Sequence, residues 1–345
     1  MESKKKTILN LAILFALFGI TIYMMFNGQD LGSIIKLVKQ VHIGYFILGI
    51  ALVVIFVCCE ATIIKYLLHV IQIKWPLYKC VRYSFIGFFF SCITPSATGG
   101  QPAQIYYMKK EGLDIPKSTI VLFLVTIEYK FVLVFLGILI VLFGQPLIIG
   151  MSAEIKFYLY LGLALNIFCV IFMSFLVFFP QSARYLLIKF YRLLGRMHLL
   201  KRVDEKLVKL NHSMDDYDRA SAFLKENLLS TLNVFIISLV QRLTLFYVTY
   251  IVYKSFGLEG HSALEITLLQ AVISISVDML PLPGGMGISE RIFSKIFLPV
   301  FGSIQMTLSA MLVSRGLSYY ILILISAIIT IYSHLLICRK KAATE

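Results

Sequence analysis

The sequence predicts an all-α polytopic membrane protein in which about six spanning helices and two opposed re-entrant helical hairpins form an inverted repeat. Hydrophobic residues make up 59% of the 345 residues and charged residues only 14%, whereas a soluble domain carries about 25% charge. Two apolar segments, one in each half of the chain, are interrupted by Pro/Gly-rich stretches. Paired interruptions of this kind are typical of membrane proteins built from inverted repeats.

The chain begins with two predicted spanning helices. Three lysines at residues 4–6 precede an apolar run over residues 7–26. This run is too long for the apolar region of a signal peptide, so we interpret it as a retained helix with a cytoplasmic N-terminus. Residues 31–41 have one apolar face, which predicts a short helix in the outer interface. The second span covers residues 43–70, returns to the cytoplasm and carries Glu60.

The first interrupted segment, residues 83–108, is predicted to be a re-entrant hairpin. Its break at residues 95–102 contains two prolines and two glycines, and each apolar arm is shorter than the roughly 20 residues that a spanning helix needs. Basic residues flank both ends: Lys79 and Arg82 before it, and Lys109 and Lys110 after it. Because lysine and arginine mark the cytoplasmic side, we expect the hairpin to enter and leave there. A kink in a single spanning helix is the alternative.

The first half of the repeat, residues 1–144, ends with a span over residues 118–143 that carries Glu128 and Lys130. The second half, residues 157–338, begins with a span over residues 157–179 that returns to the cytoplasm. A polar, basic stretch over residues 181–227 follows. Within it, Lys189, Arg192 and Arg196 recur on one helical face, with Leu186, Phe190 and Leu193 opposite. This pattern predicts a helix that lies on the anionic inner leaflet.

The remaining elements repeat the order of the first half in the opposite orientation. A span over residues 228–253 carries Arg242 and runs outward, and the second interrupted segment, residues 263–300, is predicted to be a hairpin that enters from outside. The last helix, residues 304–337, carries Arg315 and ends at three basic residues, so both termini are predicted in the cytoplasm. The whole chain, residues 1–345, is thus predicted to be a single transmembrane domain.

Eight charged residues of these apolar segments are interpreted as lying inside the membrane. A charge at the bilayer centre costs at least about 2.5–3.5 kcal/mol, so such residues face one another or a wet cavity. They are Glu60, Glu128, Lys130, Arg242, Asp278, Glu290, Arg291 and Arg315. Glu128 and Arg315 stand at similar depth in equivalent helices of the two halves, which predicts a pair between them, either direct or bridged through a bound headgroup. The alternative is a set of ion pairs that only fix helix packing.

The two breaks supply the rest of the predicted binding pathway, because glycine lets backbone come close to a ligand. These residues are Gly99, Gly100, Gln101 and Gln104 in the first hairpin, and Pro281, Pro283, Gly284, Gly285 and Gly287 in the second. The sequence contains no nucleotide-binding or hydrolase motif and no Cys/His cluster of metal-ligand spacing, so neither a cofactor nor a metal is predicted. The net charge of +14 lies in loops and ends, which favours anionic lipid over nucleic acid as a partner.

The second break carries a family resemblance. Residues 281–290, with the sequence PLPGGMGISE, resemble the P-x-P-G-G-x-G-x-x-E signature of the lysylphosphatidylglycerol synthase/flippase transmembrane family, which includes the membrane half of the bacterial multiple peptide resistance factor. Glu128 and Lys130 resemble the acidic and basic pair of that family, and Arg315 followed by Tyr319 resembles its arginine–tyrosine helix. Gln101 and Gln104 stand where the family often has an acidic residue and an arginine.

The resemblance implies a flippase that moves a polar-headed phospholipid, by analogy lysylphosphatidylglycerol, across the bacterial cytoplasmic membrane. The family's cytoplasmic acyltransferase-like domain is expected to be absent, so a transporter is favoured over an enzyme. The alternative is a phosphatidylglycerol lysyltransferase, or the membrane subunit of one whose catalytic domain is a separate chain. A membrane scaffold without transport activity is a third interpretation. A separate lipid-modifying enzyme and a second copy of the chain are the expected protein partners.

Overall fold

A computed structural model of the chain describes residues 38–94, 98–196, 228–280 and 287–342, together with residues 32, 36, 211, 214, 215, 218 and 222. Within these ranges the chain is helical and contains no strand. The predicted first span at residues 7–26 lies outside the described residues, as do most of residues 31–37 and 197–227. Residues 95–97 and 281–286, at the two breaks, also lie outside them.

The described helices include long spans and short helices. In chain order they are α1 (Ile43–Val70), α2 (Leu77–Cys92), α3 (Gly100–Lys110), α4 (Ile115–Phe143), α5 (Gln145–Ile149), α6 (Ala153–Phe178), α7 (Pro180–Arg196), α8 (Leu228–Ser255), α9 (Ala263–Val277), α10 (Ile288–Phe301), α11 (Ile304–Arg315) and α12 (Leu322–Ala342). A π-helical segment, Gly316–Ile321, joins α11 to α12, so the last span runs continuously over Ile304–Ile337. Among the described helices, five spans are long and apolar enough to cross a bilayer, and all five match predicted ones. The chain is a polytopic α-helical membrane protein.

Helices α1 and α8 run antiparallel along their whole length. At one end the amide of His42 donates to the carbonyl of Ser255, with N and O 3.3 Å apart. At the other end the Asn233 side chain donates to the Tyr66 hydroxyl at 3.0 Å. This pair defines two ends of the bundle, called here the Ser255 end and the Tyr66 end.

Helices α2 and α3 form an antiparallel hairpin whose base lies at the Tyr66 end, soon after α1 finishes. At the base the Glu111 carboxylate takes ion pairs from Arg82 at 2.6 Å and Lys79 at 3.2 Å, and a hydrogen bond from the Tyr83 hydroxyl at 3.0 Å. All four residues thus fasten one arm to the other.

The tip of this hairpin depends on a close helix approach at Gly100. A Cβ atom there would lie 2.8 Å from the carbonyl oxygen of Gly87 and would collide with the Ser91 hydroxyl. Only glycine therefore permits the arms to close at this level. The amide of Gly99 donates to the Thr94 hydroxyl at 2.8 Å, which holds the chain where it leaves the first arm.

Helices α9 and α10 form the second hairpin, and its base lies at the Ser255 end. The ring of Tyr253 lies 6.1 Å from that of His261, just before α9, and 5.8 Å from that of Phe301, at the end of α10. The two hairpins therefore have their bases at opposite ends of the bundle. Their arms have 16, 11, 15 and 14 residues, so at 1.5 Å per residue each is shorter than a hydrocarbon core of about 30 Å.

The second hairpin is packed tightly against α6. A Cβ atom on Gly162 would lie 2.9 Å from the backbone of both Ile275 and Ser276. Neither backbone atom can move aside as the end of a side chain can, so glycine at this position sets the spacing between α6 and α9.

The predicted surface helix is present as α7. Leu186, Phe190 and Leu193 on it are exposed, and Arg184 pairs with Asp215 at 2.6 Å and Asp218 at 2.9 Å. An exposed apolar face on a basic helix agrees with the predicted pattern. Its attachment to the inner leaflet stays a prediction.

Candidate functional site

The tips of the two hairpins meet at a cavity of about 280 Å³ inside the bundle. The first hairpin contributes Ser91 and Cys92 to its wall. The second contributes Ser274, near the end of α9, with Asp278 just beyond it and Ser289 at the start of α10. The bases of the hairpins lie at opposite ends of the bundle, and both hairpins contribute residues to this cavity.

The opposite wall is the π-helical segment and the turn before it. Arg315 and Tyr319 line the cavity there, and the Tyr319 hydroxyl donates to the carbonyl oxygen of Cys92 at 3.2 Å. This bond satisfies a carbonyl that the end of α2 leaves without an intrahelical partner. A π-helical turn inside an α-helix often marks a functional site, since it changes the direction of the side chains that follow.

Arg315 is paired with Glu290, not with Glu128. The Arg315 guanidinium lies 3.0 Å from the Glu290 carboxylate and also donates to the Ser289 hydroxyl. Glu290 in turn accepts from the amide of Gly287 at 2.7 Å, and so caps α10. Gly287 has a φ of +87°, which favours glycine. The predicted direct pair between Glu128 and Arg315 is therefore wrong.

Lys130 and Asp278 form the second internal ion pair. Their charged atoms are 2.6 Å apart, and the side chains are only 10% and 9% exposed. Lys130 lies near the midpoint of α4, a 29-residue helix. Asp278 faces the cavity, and Lys130 stands behind it.

Arg242 is held one layer behind the cavity wall by aromatic rings. Its guanidinium carbon lies 3.6 Å from the centre of the Tyr129 ring and 5.1 Å from that of Phe56. Tyr129 lines the cavity. Cation–π contacts of this kind stabilise a guanidinium that has left water.

The glutamines of the first hairpin bind protein groups. The Gln104 amide donates to Glu60 at 2.9 Å and to the carbonyl of Tyr83 at 3.2 Å. The Gln101 amide donates to the Thr126 hydroxyl. Glu60, Gln101 and Gln104 therefore tie the hairpin to α1 and α4 and do not line the cavity.

Two further predicted residues lie away from the cavity. Arg291 has a side chain that is 65% exposed and pairs with Glu154 at 3.1 Å, together with Lys295. It follows Glu290 directly, so it lies about 100° around α10 from the residue that faces Arg315. Glu128 is buried on α4, outside the cavity wall. Pro281, Pro283, Gly284 and Gly285 are outside the described residues.

Sequence reasoning missed the hydroxyl and amide groups of the wall. Thr249 donates to Gln270 at 3.0 Å and lies 3.4 Å from the Ser314 hydroxyl, and Ser318 follows Ser314 by one turn. Polar residues at helical spacing inside apolar spans were the available signal. The wall thus combines a carboxylate from Asp278, a guanidinium from Arg315 and uncharged polar groups, so it can bind a group that carries both an anion and a cation. Among the described residues no His, Cys, Asp and Glu cluster could hold a metal ion.

Two comparisons place this architecture among known proteins. A family model described as the lysylphosphatidylglycerol synthase TM region matches residues 8–326. UPF0104 membrane protein PH1989 of Pyrococcus horikoshii is 25% identical over 327 residues, which cover 89% of this chain and 92% of that protein. The family match includes both hairpins and every described residue of the cavity wall.

Proposed function

The chain belongs to the lysylphosphatidylglycerol synthase transmembrane family, as its motifs predicted, and from this premise we propose that it moves a polar-headed phospholipid across the cytoplasmic membrane. Lysylphosphatidylglycerol is the first candidate substrate, because the family name carries that lipid. The observation that supports the proposal most is the cavity between the tips of two opposed hairpins, which offers charged and polar groups inside an otherwise apolar bundle.

In this proposal the headgroup crosses through the cavity while the acyl tails stay in the surrounding lipid. The phosphate binds the Arg315 guanidinium, and the amine binds the Asp278 carboxylate. Both protein groups already have an internal partner, Glu290 and Lys130 respectively. The site is therefore charge-balanced before the lipid enters.

We further propose that the base of the first hairpin faces the cytoplasm. Lys79 and Arg82 lie at that base, and Lys109 and Lys110 end its second arm. Lysine and arginine accumulate on the cytoplasmic side of membrane proteins. This orientation makes both hairpins re-entrant, the first from the cytoplasm and the second from outside, and puts the C-terminus after α12 in the cytoplasm.

The test uses the purified full chain in liposomes that contain lysylphosphatidylglycerol. A membrane-impermeant amine reagent reports lipid that reaches the outer leaflet. We expect faster labelling than in protein-free liposomes, and a loss of that gain in Ser274→Trp, which fills the cavity. Leu264→Trp is the matched control, since it lies on the same helix α9 but its side chain is 68% exposed toward the surroundings. Equal labelling with and without protein would reject lipid movement.

The second candidate is participation in lysine transfer to phosphatidylglycerol, because the family description names a synthase. The same liposomes, supplied with lysyl-tRNA and phosphatidylglycerol, test it directly. Formation of lysylphosphatidylglycerol by this chain alone would establish the enzyme and displace the transporter as its first function. We expect none, because in the described part of the cavity wall the hydroxyl that lies beside a carboxylate is Ser289, and that carboxylate, Glu290, is already engaged by Arg315 and by the amide of Gly287.

A further inference from the structure

Glu128 differs from every other acidic group of the central spans. It lies near the middle of α4 and is only 5% exposed. Within the part of the chain that the structure describes, no hydrogen-bond donor or cation contacts its carboxyl group. Asp278, Glu290 and Glu60, by contrast, each accept from a positive or amide group at 3.0 Å or less.

The polar neighbours of Glu128 on α4 interact with residues other than Glu128. Thr126 accepts from Gln101, Tyr129 supports Arg242, and Lys130 pairs with Asp278. Residues two apart lie about 200° apart around a helix, so Glu128 faces away from Lys130.

The helices packed against α4 present few charged or titratable groups to it. These are Arg242 from α8, Asp278 after α9 and Cys169 from α6, which lies near Lys130. Arg242 and Asp278 are engaged with the residues just named. From α1, Glu60 is engaged with Gln104 of α3.

A carboxylate without a counter-ion is far more costly inside a bilayer than the neutral acid. For Glu128 that cost is lowest with a proton on the carboxyl group, and such a proton exchanges with water that reaches the group. The residue stands next to Tyr129, which is part of the cavity wall. Any movement of α4 that opens the cavity also changes the surroundings of Glu128.

We propose that Glu128 is a proton-binding site that couples lipid movement to the transmembrane proton gradient, an inference that rests on the proposed function. The carboxylic acid releases one proton to water on one side of the membrane, and the carboxylate takes one proton from water on the other side. Only the O–H bond of the carboxyl group breaks and forms, so the step needs no other reactant. The gradient then supplies the energy for net lipid movement.

The first experiment examines the protein without transport. Infrared spectra of the purified full chain at neutral pH should show the carbonyl band of a protonated carboxylic acid, and Glu128→Gln should remove intensity from that band. The melting temperature of Glu128→Gln should equal that of the unmodified protein, because a neutral amide replaces a neutral acid. Asp278→Asn is the matched control, and it should melt at a lower temperature because it leaves Lys130 unpaired. An unchanged band, or a melting temperature of Glu128→Gln as low as that of Asp278→Asn, would show an ionised Glu128 and overturn the proposal.

The second experiment measures coupling in liposomes with the membrane potential clamped. The readout is the ratio of lipid movement with an imposed pH gradient to movement without one, since a general loss of activity cancels in this ratio. We expect a ratio well away from one for the unmodified protein and for Leu264→Trp, and a ratio of one for Glu128→Gln. The same ratio in Glu128→Gln as in the unmodified protein overturns the coupling. If the unmodified protein moves lipid at a rate that is independent of the pH gradient, the proposed coupling is rejected and the proposed function stands. If it moves no lipid at all, both fail.

Discussion

The Lys130–Asp278 ion pair allows a quantitative prediction about the cavity wall. Two opposite unit charges 2.6 Å apart attract each other by about 6 kcal/mol at an effective dielectric constant of about 20. Desolvation offsets much of that gain, but removal of one partner leaves the other charge buried and unpaired, which costs about 3–5 kcal/mol. We therefore expect Asp278→Asn and Lys130→Met each to destabilise the protein by that amount, whereas the double variant should recover most of the loss.

The exposed Arg291–Glu154 pair is the natural control. Its arginine side chain is 65% exposed, and solvent screens exposed ion pairs so that they contribute little to stability. Arg291→Gln should therefore have little effect on the free energy of unfolding. Like Lys130→Met, this variant removes one positive charge, so it controls for the change in charge alone.

Thermal unfolding in detergent can be followed with a dye that fluoresces on reaction with thiols, since Cys80 and Cys92 are buried in the folded protein. At about 2 °C per kcal/mol for a chain of this size, the single variants should melt roughly 6–10 °C below the unmodified protein. The reasoning is refuted if Asp278→Asn melts no lower than Arg291→Gln, or if the double variant is no more stable than either single variant.

Two further predictions concern backbone contacts in the spans. Gly162→Ala should destabilise the protein by about 1–3 kcal/mol, as overpacking does, because the new Cβ atom meets the backbone of Ile275. Gly316→Ala has open space around its Cβ atom, so this variant should melt at the same temperature as the unmodified protein or higher. Equal losses of stability in both variants would contradict the packing argument. Tyr319→Phe should lower the free energy of unfolding by about 1–3 kcal/mol, because it leaves the buried Cys92 carbonyl without a hydrogen-bond donor. An unchanged melting temperature in the same dye assay would show that this hydrogen bond does not stabilise the hairpin tip.

The spans and the breaks could be predicted because they depend on length, hydropathy and the chemistry of proline and glycine. The five described spans lie where the apolar runs place them. Both interrupted segments fold as two short helices, and Gly100 and Gly287 are needed for the reasons that make glycine special: close approach and positive φ.

The partners of the charged residues could not be predicted, because depth in the membrane does not determine the rotation of a helix about its own axis. The sequence predicts a similar depth for Glu128 and Arg315, yet Glu290, in the first turn of α10, reaches Arg315 instead. Lys130, two residues from Glu128, faces Asp278 on the other side of α4. The π-helical segment after Arg315 shifts the residues that follow, and an apolar sequence carries little sign of it.

The short arms of the hairpins also determine how the protein can enter the membrane. A spanning helix can insert alone, because it satisfies its own backbone and is long enough to reach both surfaces. The 11-residue arm α3 and the 16-residue arm α2 cannot, because at 1.5 Å per residue neither reaches across a hydrocarbon core of about 30 Å. In the proposed re-entrant arrangement each hairpin therefore waits at the surface until the neighbouring spans form a protein-lined recess. For the first hairpin that recess includes α12, which packs against α2 and is synthesised more than a hundred residues later, so the cavity is completed only after the last span has been made.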